Sequence, residues 1–298
     1  MNFYRVKPLL REINCGKYKC QEESGATNTS GADMVIFHDI DVNHFNSPPW
    51  KDINSLWAFV AKEPQMKLSA PEHLWNGVFN YSVTFDSDTD GNMFVFRSKI
   101  LKLFSIQNNN FATKRLNRIP RALWLVSHCN KETTMTLASG REEYAVELSK
   151  HFQVDVYTSR MSCQYRLGDL VKDVRGDRQP EIGDYAFYLS FENNLCKDYI
   201  SEKLWKVLEA NVTTIPIVLG GLTIKEYTRV APLNSFIHVR NFSSPRKLAE
   251  HLRYVSNNDD AFNYYQQWRN EFYLTHTRGH YANIGGELLF IIRSLFDP

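Results

Sequence analysis

A chain of 298 residues, 43% hydrophobic and 23% charged, is long enough to bury two separate cores and has the composition of an ordinary globular protein. Its formal net charge of +2 is too small to argue for nucleic acid or a charged membrane surface as a partner. No apolar run approaches the roughly 18 residues that predict a membrane span, and Arg5, Lys7, Arg11 and Glu12 interrupt any signal-peptide core after Met1.

Residues 1–118 read as one unit. ADMVIFH, Ala32 to His38, predicts a short buried strand, and Leu56 to Val60 a second, bounded by Pro48, Pro49 and Pro64. Gly77 to Phe85, rich in β-branched and aromatic residues, suits a third. The polar run Gln107 to Asn110 and the basic Lys114, Arg115 and Arg118 mark a linker, so the second unit is expected over 119–298.

From Arg121 strands and helices alternate. Ala122 to Ser127 predicts a strand, Arg141 to Phe152 a helix and Val154 to Tyr157 a strand; further on, Thr223 to Val230 reads as helical, Ser235 to Val239 as a strand and Pro245 to Val255 as a helix capped by Ser244. This alternation implies a parallel sheet with ligands at the carboxyl ends of its strands. Between these elements Phe187 to Gly221 forms one βαβ unit: a strand over Ala186 to Phe191, a polar turn of Glu192, Asn193 and Asn194, a helix from Tyr199 capped by Asp198, and a second apolar strand. Leu204, Val207 and Leu208 give that helix its apolar stripe, while Tyr199, Glu202 and Lys203, at i, i+3 and i+4, share another face. An acid and a base thus stand beside amide groups that favour a phosphate. For such a pair alone, the ordinary reading is a solvated salt bridge worth roughly 0 to 1 kcal/mol.

Five cysteines leave at least one free or paired outside the chain, and Cys15 and Cys20 are near enough for a local disulfide. Four N-x-S/T sequons, at Asn28, Asn80, Asn211 and Asn241, are compatible with a secreted or lumenal protein.

FENNLCKDYISEKLW followed by IPIVLGG closely resembles the signature of the α1,3-fucosyltransferases, glycosyltransferase family 10, whose usual form is FEN(S/A)xxxDYxTEK(L/F) and then a PVxxG strand; Ser201 in place of Thr is the main departure. ALWLVSHCN with GREEYAVELSKHFQVDVY, and APLNSFIHVRNFSSPRKLAEHL, extend the resemblance through the second half, and FVAKEPQMKL and FNYSVTFDSDTD carry it upstream. The resemblance implies an α/β protein of the GT-B type, two Rossmann-like domains facing a cleft, with the acceptor on the first and GDP-fucose on the second. It further implies a Golgi type II membrane protein, of which this chain is the lumenal part with its anchor outside the sequence.

The same resemblance supplies residue roles. Lys203 and Arg141 match the cations that hold the donor pyrophosphate and stabilise departing GDP; by helix position alone Arg141 is a solvated basic residue. Glu202 matches a carboxylate near the fucose, and Asn193 and Tyr199 match donor contacts, although the first also reads as a turn amide and the second as an aromatic covering the sheet. Glu192 instead orders the turn. Glu63 is the candidate general base, taking the proton from an acceptor hydroxyl; the family writes Glu-Ser-Pro, whereas Glu63 stands directly before Pro64, so an alignment on the proline puts Lys62 there, and by itself Glu63 reads as a loop surface residue.

Two departures qualify this. Where the family has TYRRDSD, Thr84 to Asp90 keep the aspartates and lack both arginines, and the C-terminal cysteine cluster of relatives is missing, Gly285 to Pro298 ending in an apolar, helix-like run. The DSDTD run also resembles a D-x-D motif that binds Mg²⁺ or Mn²⁺, but a solvated loop is preferred because a GT-B site needs no metal. The expected activity is inverting transfer of fucose from GDP-fucose to a GlcNAc hydroxyl of an N-glycan core or antenna. The alternatives are a catalytically weak relative that binds glycan or protein, and a protein O-fucosyltransferase.

Overall fold

A computed structural model describes residues 9–15, 18–24, 30–42, 47–49, 51–61, 63–64, 72–86, 88, 90–92, 98–102, 119–129, 139–172, 180–210 and 212–276. In chain order the first elements are β1 (Leu9–Cys15), β2 (Tyr18–Ser24), β3 (Met34–His38), α1 (Asp39–Val42), β4 (Leu56–Val60), α2 (Glu72–Trp75), β5 (Tyr81–Thr84) and β6 (Gly91–Asn92). There follow β7 (Ser98–Lys102), β8 (Ile119–Leu125), α3 (Arg141–Ser149), β9 (Val154–Tyr157), α4 (Met161–Leu167), β10 (Tyr185–Phe191), α5 (Glu202–Glu209) and β11 (Ile215–Leu219). The last are α6 (Ile224–Tyr227), β12 (Ile237–His238), α7 (Pro245–Asn257), α8 (Asp259–Tyr264) and β13 (Phe272–His276).

These residues fall into two compact units, one within 1–93 and one within 94–276. The division lies earlier than the 118/119 boundary expected from the linker-like composition, and the second unit takes in β7, which pairs antiparallel with β13. Each unit contains a parallel sheet flanked by helices, the α/β class that alternating strands and helices imply and the ingredient of the GT-B fold.

In the first unit the sheet order is β3-β4-β5-β6, all parallel, beside a separate β1-β2 hairpin. Its core is aromatic: Phe37, Trp57 and Trp75 are buried together with Phe79 packed against them, and the rings of Trp75 and Phe79 stack at 5.6 Å.

The second unit carries the sheet β12-β11-β10-β8-β9, again parallel throughout. All seven residues of β10, YAFYLSF, are buried, as expected of a strand covered on both faces. On α5 the stripe Leu204, Val207 and Leu208, joined by Trp205, is buried; each such side chain contributes about 1.5–3 kcal/mol relative to exposure. Thr223 and Glu226 form a reciprocal capping box on α6, and Ser244 caps α7 with Pro245 at its first position.

Some expectations change. The strand over Ser235 to Val239 contracts to β12 and passes into a 3₁₀ turn, Val239–Asn241. The helix expected from Tyr199 begins only at Glu202, capped by Ser201 and not by Asp198, because Asp198 takes a left-handed backbone with φ of 59° and Tyr199 and Ile200, both buried, precede the first helical turn. Tyr199 therefore lies off the helix and does not share a helical face with Glu202 and Lys203. The Cys15 and Cys20 side chains, Asn28, Lys62, Asn211, the linker residues 107–118 and the C-terminal run 285–298 lie outside the described residues.

Candidate active site

Chain order and sheet order reverse at one place in the second unit. Counted from β8, the strands appear in the sheet as 2-1-3-4-5, so the chain leaves β8 towards β9 on one side and from β10 towards β11 and β12 on the other. In open α/β sheets such a switch point opens a crevice at the carboxyl ends of the two strands, and ligands bind there.

Arg141, the first residue of α3, spans that crevice. Its Nη1 donates to the carbonyl of Phe191 at the end of β10 at 3.1 Å, its Nη2 to the carbonyl of His128 just beyond β8, and its Nε to Glu142 Oε1 at 3.3 Å. Its carbon centre lies 5.9 Å from the Trp124 ring and the side chain is buried, so it is not the solvated surface residue that helix position alone suggests. These bonds use three of the five N–H groups of a guanidinium, which leaves two for a ligand. Gly140 before it has φ of 66° and offers α3 no side-chain cap, so the first amides of the helix keep their attraction for an anion. Ser139, in turn, donates its N–H to the carbonyl of Asn193 at 3.2 Å, while its buried Oγ has no hydrogen-bond partner among the described residues.

The other wall is the turn from β10 to α5. The Glu192 N–H donates to Leu219 O at 2.8 Å, carrying the pairing of β10 and β11 one residue beyond the strands. Its buried carboxylate accepts from Ser201 N at 2.7 Å, from Ser201 Oγ at 2.6 Å and from Lys203 Nζ at 3.1 Å. Burial raises the Glu192 pKa above the usual carboxylate range, while the Lys203 ammonium and the Ser201 donors pull it down. The expectation that Glu192 orders the turn thus has a concrete form: one carboxylate ties the strand end to the helix cap. Lys203 Nζ also donates to Ser201 Oγ at 2.7 Å and lies 3.5 Å from Glu202 Oε1. Lys203 is largely covered, at 20% side-chain exposure, whereas Glu202 reaches outward at 52%. Tyr199 is fully buried and donates its hydroxyl to Asn193 Oδ1 at 3.1 Å.

Five of the six sequence-derived site residues, Arg141, Asn193, Tyr199, Glu202 and Lys203, accordingly gather on two segments joined by direct hydrogen bonds across one crevice. Glu63 belongs to the first unit, where it is exposed just past the carboxyl end of β4 and before the buried Pro64. The acidic run after β5 folds on itself: Asp86 N donates to Thr84 Oγ1 at 3.0 Å, Asp88 N to Asp86 Oδ1 at 3.0 Å, and Ser82 N and Oγ to Asp90 Oδ2 at 2.8 and 3.0 Å. Sequence reasoning missed Ser139, for which no local signal exists, and a disulfide between Cys129 and Cys163, 34 residues apart, that ties the segment after β8 to α4.

Arg141 at the uncapped N-terminus of α3, at the switch point of a parallel sheet, is an arrangement that suits a phosphate-containing ligand. The sequence model of the C-terminal part of glycosyltransferase family 10 (fucosyltransferase) matches residues 116–285, and the chain belongs to that family. It is 28% identical over 273 residues to glycoprotein 3-alpha-L-fucosyltransferase A of Drosophila melanogaster, covering 90% of this chain and 50% of that protein. To alpha-(1,3)-fucosyltransferase fut-1 of Caenorhabditis elegans it is 34% identical over 163 residues, covering 55% and 34%. With 4-galactosyl-N-acetylglucosaminide 3-alpha-L-fucosyltransferase 9 of Homo sapiens it shares 32% identity over 204 residues, covering 68% and 49%. The chain spans half or less of the length of these three relatives. A solved crystal structure of an alpha1,3-fucosyltransferase with GDP is similar at 17% identity and a TM-score of 0.49, covering 80% of this chain and 69% of that one.

Proposed function

We propose that the chain catalyses inverting transfer of fucose from GDP-fucose to a GlcNAc hydroxyl of a glycan, forming an α1,3 linkage. The observation that carries this reading is the bridge made by Arg141 across the switch-point crevice, opposite Lys203, in a chain of a fucosyltransferase family. Arg141 and Lys203 hold the pyrophosphate, Asn193 and Tyr199 contact the donor, and Glu202, outward from Lys203, faces the fucose. The acceptor oxygen forms a bond to the anomeric carbon as the bond to GDP breaks; Glu63 takes the hydroxyl proton, and the cations receive the charge that grows on GDP. No metal is required, since helix ends and cations neutralise the diphosphate. The acceptor is an N-glycan core or antenna, and the setting is the Golgi lumen. A Cys129–Cys163 disulfide supports an oxidising compartment.

The test is incubation of purified protein with GDP-fucose and a panel of N-glycan and N-acetyllactosamine acceptors, read by mass spectrometry. Gain of one fucose on a GlcNAc is expected. Donor binding without turnover on any acceptor would point instead to a glycan- or protein-binding relative, and neither binding nor GDP release would end the proposal.

A further inference from the structure

Behind the β10–α5 turn lies a device that the family signature does not contain. The segment Gly220–Leu222 leaves β11 directly under the donor turn, and its three successive carbonyls are all held from β12 and the 3₁₀ turn after it. Arg240 Nη2 donates to Gly220 O at 2.9 Å and Nη1 to Gly221 O at 3.4 Å, while His238 Nε2 donates to Leu222 O at 3.0 Å. The two clamping residues are themselves joined, since Arg240 N donates to His238 Nδ1 at 3.0 Å. Because Nδ1 must accept and Nε2 must donate, this pattern requires the neutral ring with its proton on Nε2.

The floor so formed touches the donor turn without a gap. A methyl group on Gly221 would stand 2.4 Å from the Cys196 carbonyl oxygen and 2.8 Å from the carbonyl carbon of Leu195, and one on Gly220 would stand 3.4 Å from Glu192 Cγ. Leu195 and Cys196 are the middle of the loop that begins at Asn193 and ends at the Ser201 cap, so the height of the floor sets where Asn193 and Lys203 stand.

We propose that Arg240, with His238, is a positioning element for the donor loop, acting through the backbone of Gly220–Leu222. This rests on the reading of the crevice as a GDP-sugar site. Arg240 is exposed, so its replacement leaves no buried hole and acts by withdrawing its hydrogen bonds from the Gly220 and Gly221 carbonyls.

Cys196 reports the posture of the loop, being half-buried and the free cysteine among the described residues. The experiment compares wild type with Arg240→Gln and Arg240→Lys. It measures the iodoacetamide labelling rate of Cys196 by peptide mass spectrometry, GDP affinity by calorimetry and thermal stability. Arg240→Gln is expected to speed Cys196 labelling and weaken GDP binding, each by about tenfold, the scale of one lost charge-assisted hydrogen bond. Arg240→Lys, which can still reach one carbonyl, is expected to restore part of both, and a steady-state assay should show a raised KM for GDP-fucose with kcat little changed. Wild-type labelling in Arg240→Gln overturns the proposal, and so does faster labelling with undiminished GDP affinity. Should wild type itself bind no GDP, the donor-site reading fails by that measurement, while the labelling rates still decide whether Arg240 sets the loop.

Discussion

The carboxylate of Glu192 receives two hydrogen bonds from one residue, Ser201, through its amide at 2.7 Å and its hydroxyl at 2.6 Å. This closes the loop between the end of β10 and the first turn of α5 and leaves Lys203 with a counterion beneath it. Replacing Glu192 with Ala removes both functions and leaves the covered ammonium with Ser201 Oγ and the exposed Glu202 carboxylate in place of its buried counterion. The expected loss is about 3–5 kcal/mol of stability, as for a broken buried ion pair, measured by guanidinium denaturation; a change under about 1 kcal/mol, the worth of an exposed pair, would deny Glu192 this role.

Lys203→Met tests the other partner. Loss of the ammonium should weaken GDP binding at least about tenfold, equivalent to about 1.4 kcal/mol, in calorimetric titration of a variant that still unfolds cooperatively. Undiminished affinity would take Lys203 out of the pyrophosphate site.

Glu63→Gln is expected to bind GDP as wild type does and to lose transfer by about 10²- to 10⁴-fold, the range for removal of a general base. Radiolabelled fucose transfer at saturating donor and acceptor measures this, and normal turnover would assign the base elsewhere.

The Cys129–Cys163 disulfide closes a loop with a sequence separation of 34. Replacing both cysteines with Ala is expected to cost about 3–4 kcal/mol on the chain-entropy estimate for a loop of this length. Reducing and non-reducing denaturation curves of wild type and variant check it: they should differ by about this amount more for wild type than for the variant.

His238 gives a pH dependence whose sign follows from its environment. Burial, partly offset by the bond to Leu222 O and reinforced by nearby Arg240, lowers its pKa below the ordinary 6.5. The folded state thus binds the proton less readily than the unfolded state does. Its contribution to stability is present in full above 6.5 and is lost as the pH falls through the folded value. Wild type and His238→Asn, compared in urea at mildly alkaline and mildly acid pH, should differ most at the alkaline end; a difference that grew on acidification would reverse the argument.

Much of the second unit was legible because its signals are local. AFYLSF, Ala186 to Phe191, reads as a strand from its mostly apolar and aromatic run, and Ser244 before Pro245 marks a helix start without any tertiary information. The start of α5 was misread because Asp198 and Ser201 are both good caps, and only the contact between Ser201 and Glu192, nine residues earlier in the chain, decides between them. Arg141 looked solvated for the same reason, since the carbonyls that bury it come from the ends of two different strands.

Sequence alone therefore determined the α/β class, the family and the residues of the donor motif, because a helix stripe, a strand run and an ordered signature are written in neighbouring positions. Tertiary structure decided which of those residues meet. The strand order that opens the crevice, the bridge of Arg141, the disulfide and the Arg240 clamp all join positions dozens of residues apart or on different strands, and their pairing depends on sheet order, which no local pattern encodes.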